Sequence, residues 1–398
     1  MNARSVDLVS KKTPARQELK FIEQPLVAKQ VRLHGRTVLK PELDIRNYRC
    51  RAVIDWIDLV FRTDRATQWI WLQREIEKAI NQTCDVRGRR AEDQAEYRLF
   101  RVRFQEPEYD KLLSATRAVD NRWGLQAHVT IENLEISVDF QPKQPSDEAL
   151  GLMFGLLVRT HLPSRDVISD RSDRPRFAWG EGSKNTRHIL PLSPNKPERS
   201  DELLVAIERD QAATLDSTYY AGAKGSRSAW RIMTKLMDKQ NKRAGSRVSL
   251  PEKERRVRAE VTLNSEELEA IKLRTLNELQ SFRFQTLQGR YFQFWLPTFA
   301  ALSQPVDGPL SAIRNDLEER RRTKFMNAGV LGLKTMDQAQ AKIADSRRPD
   351  IKKSLGRPLQ SKQRRGTGVS MTLVAFNELS RPVKYALRHL GQRVRSSP

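Results

Sequence analysis

The chain has 398 residues, with 72 Lys or Arg against 49 Asp or Glu and a formal net charge of +23. That length admits two domains or one large domain with extensions, and the charge favours a polyanionic partner, nucleic acid ahead of a membrane surface. Cys50 and Cys84 form no CxxC arrangement, so a disulfide framework and a cysteine zinc site are excluded, and the five histidines (His34, His128, His161, His188, His389) never pair at metal-ligand spacing.

The longest apolar run, Leu150 to Val158, falls far short of the roughly 20 residues that span a bilayer. The first residues carry charge and no apolar signal core. A basic intracellular protein with no membrane segment is expected. Residues 1–48 are polar and basic and read as an arm. Cys50 to Phe61 is rich in β-branched and aromatic residues and predicts a strand. Thr67 to Ile80 places Trp69, Leu72, Ile76 and Ile80 at helical spacing. Tyr97 to Phe104 predicts a second strand, Glu108 to Val119 a helix, and Leu125 to Phe140 a long β segment. In the last of these Ile136, Val138 and Phe140 face the core, while Glu135, Ser137 and Asp139 face the other way.

Ser146 caps a helix running to Leu157 or His161. Residues 163–200 read as a long loop, and Leu203 to Ile207 as a short strand. Glu254 to Leu263 alternates again, with Arg256, Arg258 and Glu260 opposite Val257, Ala259, Val261 and Leu263. Ser265 opens a helix carrying Leu268, Ile271, Leu276 and Leu279. Residues 289–302 are apolar and aromatic, and a charged helix runs from Leu310 to Asn327. From Lys334 on, 15 Lys or Arg stand against 4 Asp or Glu; this segment reads as a largely disordered basic tail, with a short basic helix near Val374 to Leu390. The expected division is an arm (1–48), a core domain (49–302), a charged helix (303–333) and a tail (334–398).

Between these elements lies Thr218-Tyr219-Tyr220-Ala221-Gly222-Ala223-Lys224-Gly225-Ser226-Arg227, followed by a strand through Arg231 and Lys235. Gly222 and Gly225 permit a tight turn and close approach of backbone N–H groups to an anion. Strand alternation puts Tyr219 and Tyr220 on opposite faces, so one phenol belongs to the core and the other, Tyr220 beside the turn, is free for chemistry. Lys224, Arg227, Arg231, Lys235 and Lys239 supply a cationic field that favours phenolate and phosphate. The alternative is an ordinary Gly-containing hairpin with core tyrosines.

Glu135, Asp139 and Glu260 lie on the polar faces of apolar strands, and carboxylates are the natural ligands of Mg²⁺ or Mn²⁺. Glu135 and Asp139 are roughly 13 Å apart at Cα in a straight strand, too far for both to hold one ion. The competing reading pairs these carboxylates with Arg256 or Arg258.

Taken in order, the Ile54-Asp55-Trp56-Ile57 and Glu135-Ile136-Ser137-Val138-Asp139-Phe140 strands, the Tyr-Tyr-Ala-Gly turn, Arg231-Ile232-x-x-Lys235 and Arg258-Ala259-Glu260-Val261 resemble the replication initiation factors of rolling-circle plasmids and filamentous phages (the Rep_trans family), which include relaxases of mobile elements. The resemblance spans roughly residues 50–300. It implies an α+β fold, an antiparallel sheet with helices packed on one face, related to the rolling-circle nicking nucleases. The implied activity is that of a DNA nicking-closing endonuclease in a bacterial host's cytoplasm. Such an enzyme binds a double-stranded origin, cuts one strand by tyrosine attack with Mg²⁺ or Mn²⁺, and works on single- and double-stranded DNA beside a host helicase. Glu135, Asp139 and Glu260 match the metal-site strands, Tyr220 and Tyr219 supply the candidate nucleophile, and Lys224, Arg227, Arg231, Lys235, Lys239, Arg256 and Arg258 are expected at DNA. The family writes its second hairpin strand Arg-(Ile/Val)-Tyr-(Asp/Glu)-Lys; here Met233 and Thr234 replace the tyrosine and the acid. A nicking-deficient DNA-binding regulator of the same fold is the alternative.

Overall fold

In chain order the first strands are β1 (Ala3–Val9), β2 (Arg16–Pro25), β3 (Arg36–Pro41) and the long β4 (Tyr48–Thr67). Next come α1 (Trp69–Ile80), β5 (Asp85–Arg89), β6 (Tyr97–Gln105), α2 (Tyr109–Trp123), β7 (Thr130–Pro142) and α3 (Asp147–Thr160). They are followed by β8 (Arg176–Ala178), β9 (Thr186–His188), α4 (Ser200–Val205), β10 (Thr218–Ala221), β11 (Ser228–Lys235), β12 (Met237–Asn241) and β13 (Ser246–Ser249). The chain continues through β14 (Arg256–Asn264), α5 (Ser265–Ala270), α6 (Leu276–Ser281), α7 (Leu287–Tyr291), β15 (Trp295–Ala300), α8 (Pro309–Leu355), β16 (Leu373–Ala375) and α9 (Asn377–Arg395). This is a computed structural model that describes residues 3–9, 16–27, 33–89, 97–179, 185–190, 200–208, 210, 214–241, 246–302, 309–355 and 373–396.

The fold is α+β, with two antiparallel sheets and several helices. A nine-stranded sheet runs β5-β6-β4-β7-β14-β11-β10-β8-β9, a five-stranded sheet runs β1-β2-β3-β15-β16, and β12-β13 form a separate ribbon. Helix α3 joins the two larger sheets. It packs against β7, β11 and β14 on one side and against β1 and β2 on the other. Apolar residues surround it accordingly, including the buried Leu150, Met153, Phe154, Leu156 and Leu157, as expected of a helix with no solvent face. The Ser146 side chain accepts from the Ala149 amide at 3.0 Å and sets its start. Gly155 allows the close contact with the small sheet, because a Cβ there would lie 2.8 Å from Leu8.

This sandwich corrects the expected arm. Residues 3–9, 16–25 and 36–41 are paired strands whose Leu8, Leu19, Phe21, Val38 and Leu39 are buried. Five apolar side chains spread over three strands are enough to close a core that α3 supplies from elsewhere in the chain. The expected tail is corrected too. Helix α8 continues past Lys334 to Leu355, with a break at Gly329 (φ +68°), where a Cβ would meet the Arg159 backbone at 2.7 Å. Helix α9 buries Leu379, Val383, Ala386, Leu387, Leu390 and Val394 against β4, α6 and α7. The middle of the expected tail, residues 356–372, lies outside the described residues. Leu203 to Val205 belongs to a helix rather than a strand, since α4 packs along α8 instead of entering a sheet. Among the described residues no helix is long and apolar enough to cross a membrane.

Candidate active site

The register of the large sheet sorts its side chains cleanly. Val257, Ala259, Val261 and Leu263 of β14 stand opposite Phe140, Val138, Ile136 and Leu134 of β7, and Trp230 and Ile232 of β11 continue that apolar layer. Period two then sends Arg231, Arg258, Glu260, Thr262, Glu135 and Asp139 to the other face. One row crosses five strands in register: Arg176, Tyr220, Arg231, Glu260 and Ser137. Neighbours in such a row sit side by side and interact directly.

Asp55 joins this face through a break in alternation. Ile54 pairs with Ile136, but the next pair on β4 is Trp56 with Glu135, so Asp55 is an extra, unpaired residue. A bulge of this kind re-aims a side chain out of the regular pleat. As a result Asp55, Glu135 and Glu260 each offer a carboxylate oxygen within 4.8 Å of the others.

Arginines and neutral donors hold the cluster. Arg231 bonds Glu260 and reaches Glu135 at 3.3 Å. Arg258 bonds Asp55 and clamps Asp139 through two contacts at 2.6 and 2.9 Å. The Trp56 indole donates to Glu135 at 2.7 Å, and Thr262 donates to its other oxygen at 2.5 Å. Burial pushes the Glu260 carboxyl up to about 7, against the pull of Arg231 and with the help of Glu135. Burial raises Glu135 as well, with Arg231 and Thr262 opposing. Although burial works against its charge, Arg231 is held above the usual guanidinium range by Glu260 and Glu135. Glu260 Oε1 and the adjacent Ser137 Oγ are buried and have no hydrogen-bond partner. Hard oxygen donors with one surplus acceptor suit Mg²⁺ or Mn²⁺ better than a softer metal. Asp55, Glu135 and Glu260 would hold such an ion.

A cleft of ≈ 1480 Å³ opens over this face. Tyr220 lines it, with the Arg176 guanidinium 5.4 Å from its ring centre. Tyr219 turns the opposite way. It is buried against Phe177 and His161, and burial raises its phenol well above the ordinary range. Of the two tyrosines Tyr220 is the one that lines the cleft and Tyr219 the one in the core, the arrangement expected from strand alternation. Met233 also lines the cleft, in register with Arg258.

Asp139 is a correction to the metal set. It shares the face but is gripped by Arg258 and by Arg256 at 3.0 Å, and it stands outside the Asp55–Glu135–Glu260 group. Arg258 is a correction to the DNA set, being 1% exposed and committed to carboxylates. Arg256 makes a single ion pair with Asp139 and stays partly exposed. Lys224 is exposed at the cleft rim, and Lys235 sits within the cleft, 4.0 Å from Glu106. Arg227 is exposed and pairs with Glu266 at 3.0 Å. The Lys239 side chain lies outside the described residues.

Asp55, Arg101 and Arg103 of the cleft, and Asp58 beneath it, carried no sequence signal strong enough to single them out. Asp58 is wholly buried between Arg103 (2.6 Å) and Arg101 (2.7 Å), and Arg103 in turn lies over the Trp56 ring at 3.7 Å. The usable hint was the alternation of Arg101 and Arg103 through a strand opposite an acid. Asp55 was visible only as an acid in mid-strand, because its role depends on the bulge.

No family model matches the chain, and no curated protein matches its sequence. Among solved structures it is similar to the class II 3-hydroxy-3-methylglutaryl-CoA reductase from Streptococcus pneumoniae at 9% identity, over 100% of this chain and 89% of that one, with a TM-score of 0.19. A likeness this slight carries no argument about fold or function.

Proposed function

We propose that the chain is a replication initiator of the rolling-circle type, which binds DNA and nicks one strand through Tyr220 to start replication of a phage or plasmid. The observation that carries this reading is Tyr220 in register with Arg231, whose guanidinium is bound to Glu260 and Glu135, all at one cleft. An antiparallel sheet with a polar working face and helices behind it is also the architecture that the resemblance implies.

In the proposed step the Tyr220 oxygen attacks a phosphodiester phosphorus. A phosphotyrosyl bond forms as the bond from phosphorus to the 3′ oxygen breaks. The phenol proton passes to solvent, and the departing 3′ oxygen takes up a proton to become a hydroxyl. Arg176 and Arg231 flank Tyr220, and Lys224 and Lys235 bring phosphate into the cleft. A divalent ion on Asp55, Glu135 and Glu260 would supply charge neutralisation at the phosphate. The ester keeps the energy of the cleaved bond, so the strand can be rejoined without ATP.

A second reading, a DNA-binding regulator of the same architecture that does not cut, is favoured by Met233 on the working face and by Arg231 already occupying two carboxylates. Incubation with labelled single-stranded origin DNA and Mg²⁺ or Mn²⁺, followed by denaturing electrophoresis, separates the two. A covalent adduct lost in Tyr220→Phe and kept in Tyr219→Phe supports nicking. No adduct with either metal leaves the regulator.

A further inference from the structure

Helix α9 is half core and half surface. Its buried side is purely apolar, from Leu379 through Val394, and its Arg393 donates to the carbonyl of Ala52. That carbonyl belongs to the part of β4 ahead of Trp56, where the β6 ladder has not begun, so α9 covers an otherwise open strand edge. The outward side carries Arg381, Lys384, Arg388 and Arg395, spaced three, four and seven apart, and therefore in one stripe.

This stripe has an unusual electrostatic setting. Arg381, Lys384 and Arg388 are exposed and pair with no acid among the described residues. The one acidic residue of α9, Glu378, is at its start and pairs with Lys40 at 3.2 Å. At the other end the Arg393 guanidinium is pushed below its usual range by burial and then by the charge of Arg51. Tyr385, 59% exposed, stands in the middle of the stripe. A helix stabilised only by its own dipole needs cations in its last turn, whereas these extend back to Arg381, some 21 Å along the axis at 1.5 Å per residue. No α9 residue lines the Tyr220 cleft.

We propose that the outward face of α9 is a second nucleic-acid surface, which holds the phosphate backbone of duplex DNA independently of the cleft. A membrane is the poorer fit, because an interfacial helix must present an apolar face to lipid and that face of α9 is already buried in the protein. Regularly spaced cations over about two turns, Arg381 to Arg388, with no acidic partner among the described residues, suit a polymer with one phosphate per about 3.4 Å of axis on each strand. The inference does not require that the cleft cuts DNA.

The test is binding of the full chain to a fluorescein-labelled 30-base-pair duplex of arbitrary sequence, followed by anisotropy across a series of KCl concentrations. For Arg381→Gln/Lys384→Gln/Arg388→Gln, the slope of log affinity against log salt should be shallower by about 2.7, near 0.9 per lost phosphate contact. Each single variant should lose about a third of that. A charge-matched control, Arg74→Gln/Lys78→Gln/Lys143→Gln, removes exposed cations from other surfaces and should keep the parental slope. Equal slopes for the parental chain and the α9 triple variant, or equal losses in variant and control, overturn the proposal. So does binding to phosphatidylserine vesicles that the α9 variant loses while duplex binding is unchanged. Should the triple variant fail to fold, the singles carry the same comparison. Adduct formation on a short single-stranded oligonucleotide is scored in parallel: its failure in every protein counts against Tyr220 chemistry alone.

Discussion

Two of the buried charge networks in this protein differ in what surrounds them. Around α8, Lys324 and Asp210 meet at 2.7 Å with both side chains fully buried, and Arg322 meets Glu23 at 2.7 Å. Burial raises the Asp210 carboxyl and lowers the Lys324 amine, each partner's charge opposing the change. On the working face of the large sheet, three carboxylates share Arg231 and Arg258, leave one acidic oxygen without a hydrogen bond, and sit at the floor of a cleft. Buried charge is thus no mark of function by itself. Asp210 too keeps one buried oxygen without a hydrogen bond, so what separates the second network is access to the cleft and a tyrosine in register beside it.

That contrast can be broken most decisively at the cleft. Glu260→Gln and Asp55→Asn should each lower nicking of supercoiled origin DNA by about 10²-fold or more, while thermal stability changes little, since removal of an ion-binding carboxylate weakens charge neutralisation during transfer. Parental rates in both variants would return the cluster to a structural role. The α8 network should behave in the opposite way. Lys324→Met leaves Asp210 buried and uncompensated and should cost about 3–5 kcal/mol in urea unfolding, with adduct yield per folded molecule unchanged. Adding Asp210→Leu to that variant should recover much of the loss.

A finer effect follows from protonation. The Glu260 carboxyl, raised from about 4.5 to about 7, holds a proton in the folded chain that the unfolded chain releases earlier. Stability from this group is therefore greatest at low pH and is lost as pH rises through the window from about 4.5 to 7. Metal binding needs the ionised form, so calorimetric affinity for Mn²⁺ should rise up to about tenfold per pH unit below about 7 and level off above it, with uptake of the ion releasing a proton. A flat profile, or an unchanged one in Glu260→Gln, would separate the ion from this residue. The smallest expected change is Met233→Tyr. It places a phenol on the same face, in register with Arg258, and is expected to leave Tyr220-dependent adduct yield within about twofold, an effect the adduct gel can resolve. A new adduct that survives Tyr220→Phe would give that strand position a competing role.

Much of this was legible in the sequence wherever the information is local. The alternation of Glu135 to Phe140 and of Val257 to Leu263 specified which side chains face the core, and the same rule separated Tyr219 from Tyr220. Helical spacing specifies α1, while the short basic helix expected near Val374 to Leu390 is the packed α9 rather than part of a loose tail. The three N-terminal strands carry no comparable local signal, because their few apolar side chains become a core only against α3, more than 100 positions later. Asp139 stands outside the carboxylate group for a related reason. Strand period puts it on the correct face, but its partners, Arg256 and Arg258, are set by the pairing of β7 with β14.

By itself, then, the sequence determined the charge, the strand faces, the Tyr-Tyr-Gly turn and the amphipathic helices, since each is written in the relation between a residue and its neighbours two to four positions away. Only the tertiary structure decided that Asp55 joins Glu135 and Glu260, that Arg231 and Arg258 pair with them, and that β1, β2, β3 and α9 are folded onto the rest. The physical reason is register. A bulge, an ion pair between strands and a helix seated on a strand edge depend on how segments some 80 to 340 residues apart align, and no local period encodes that alignment.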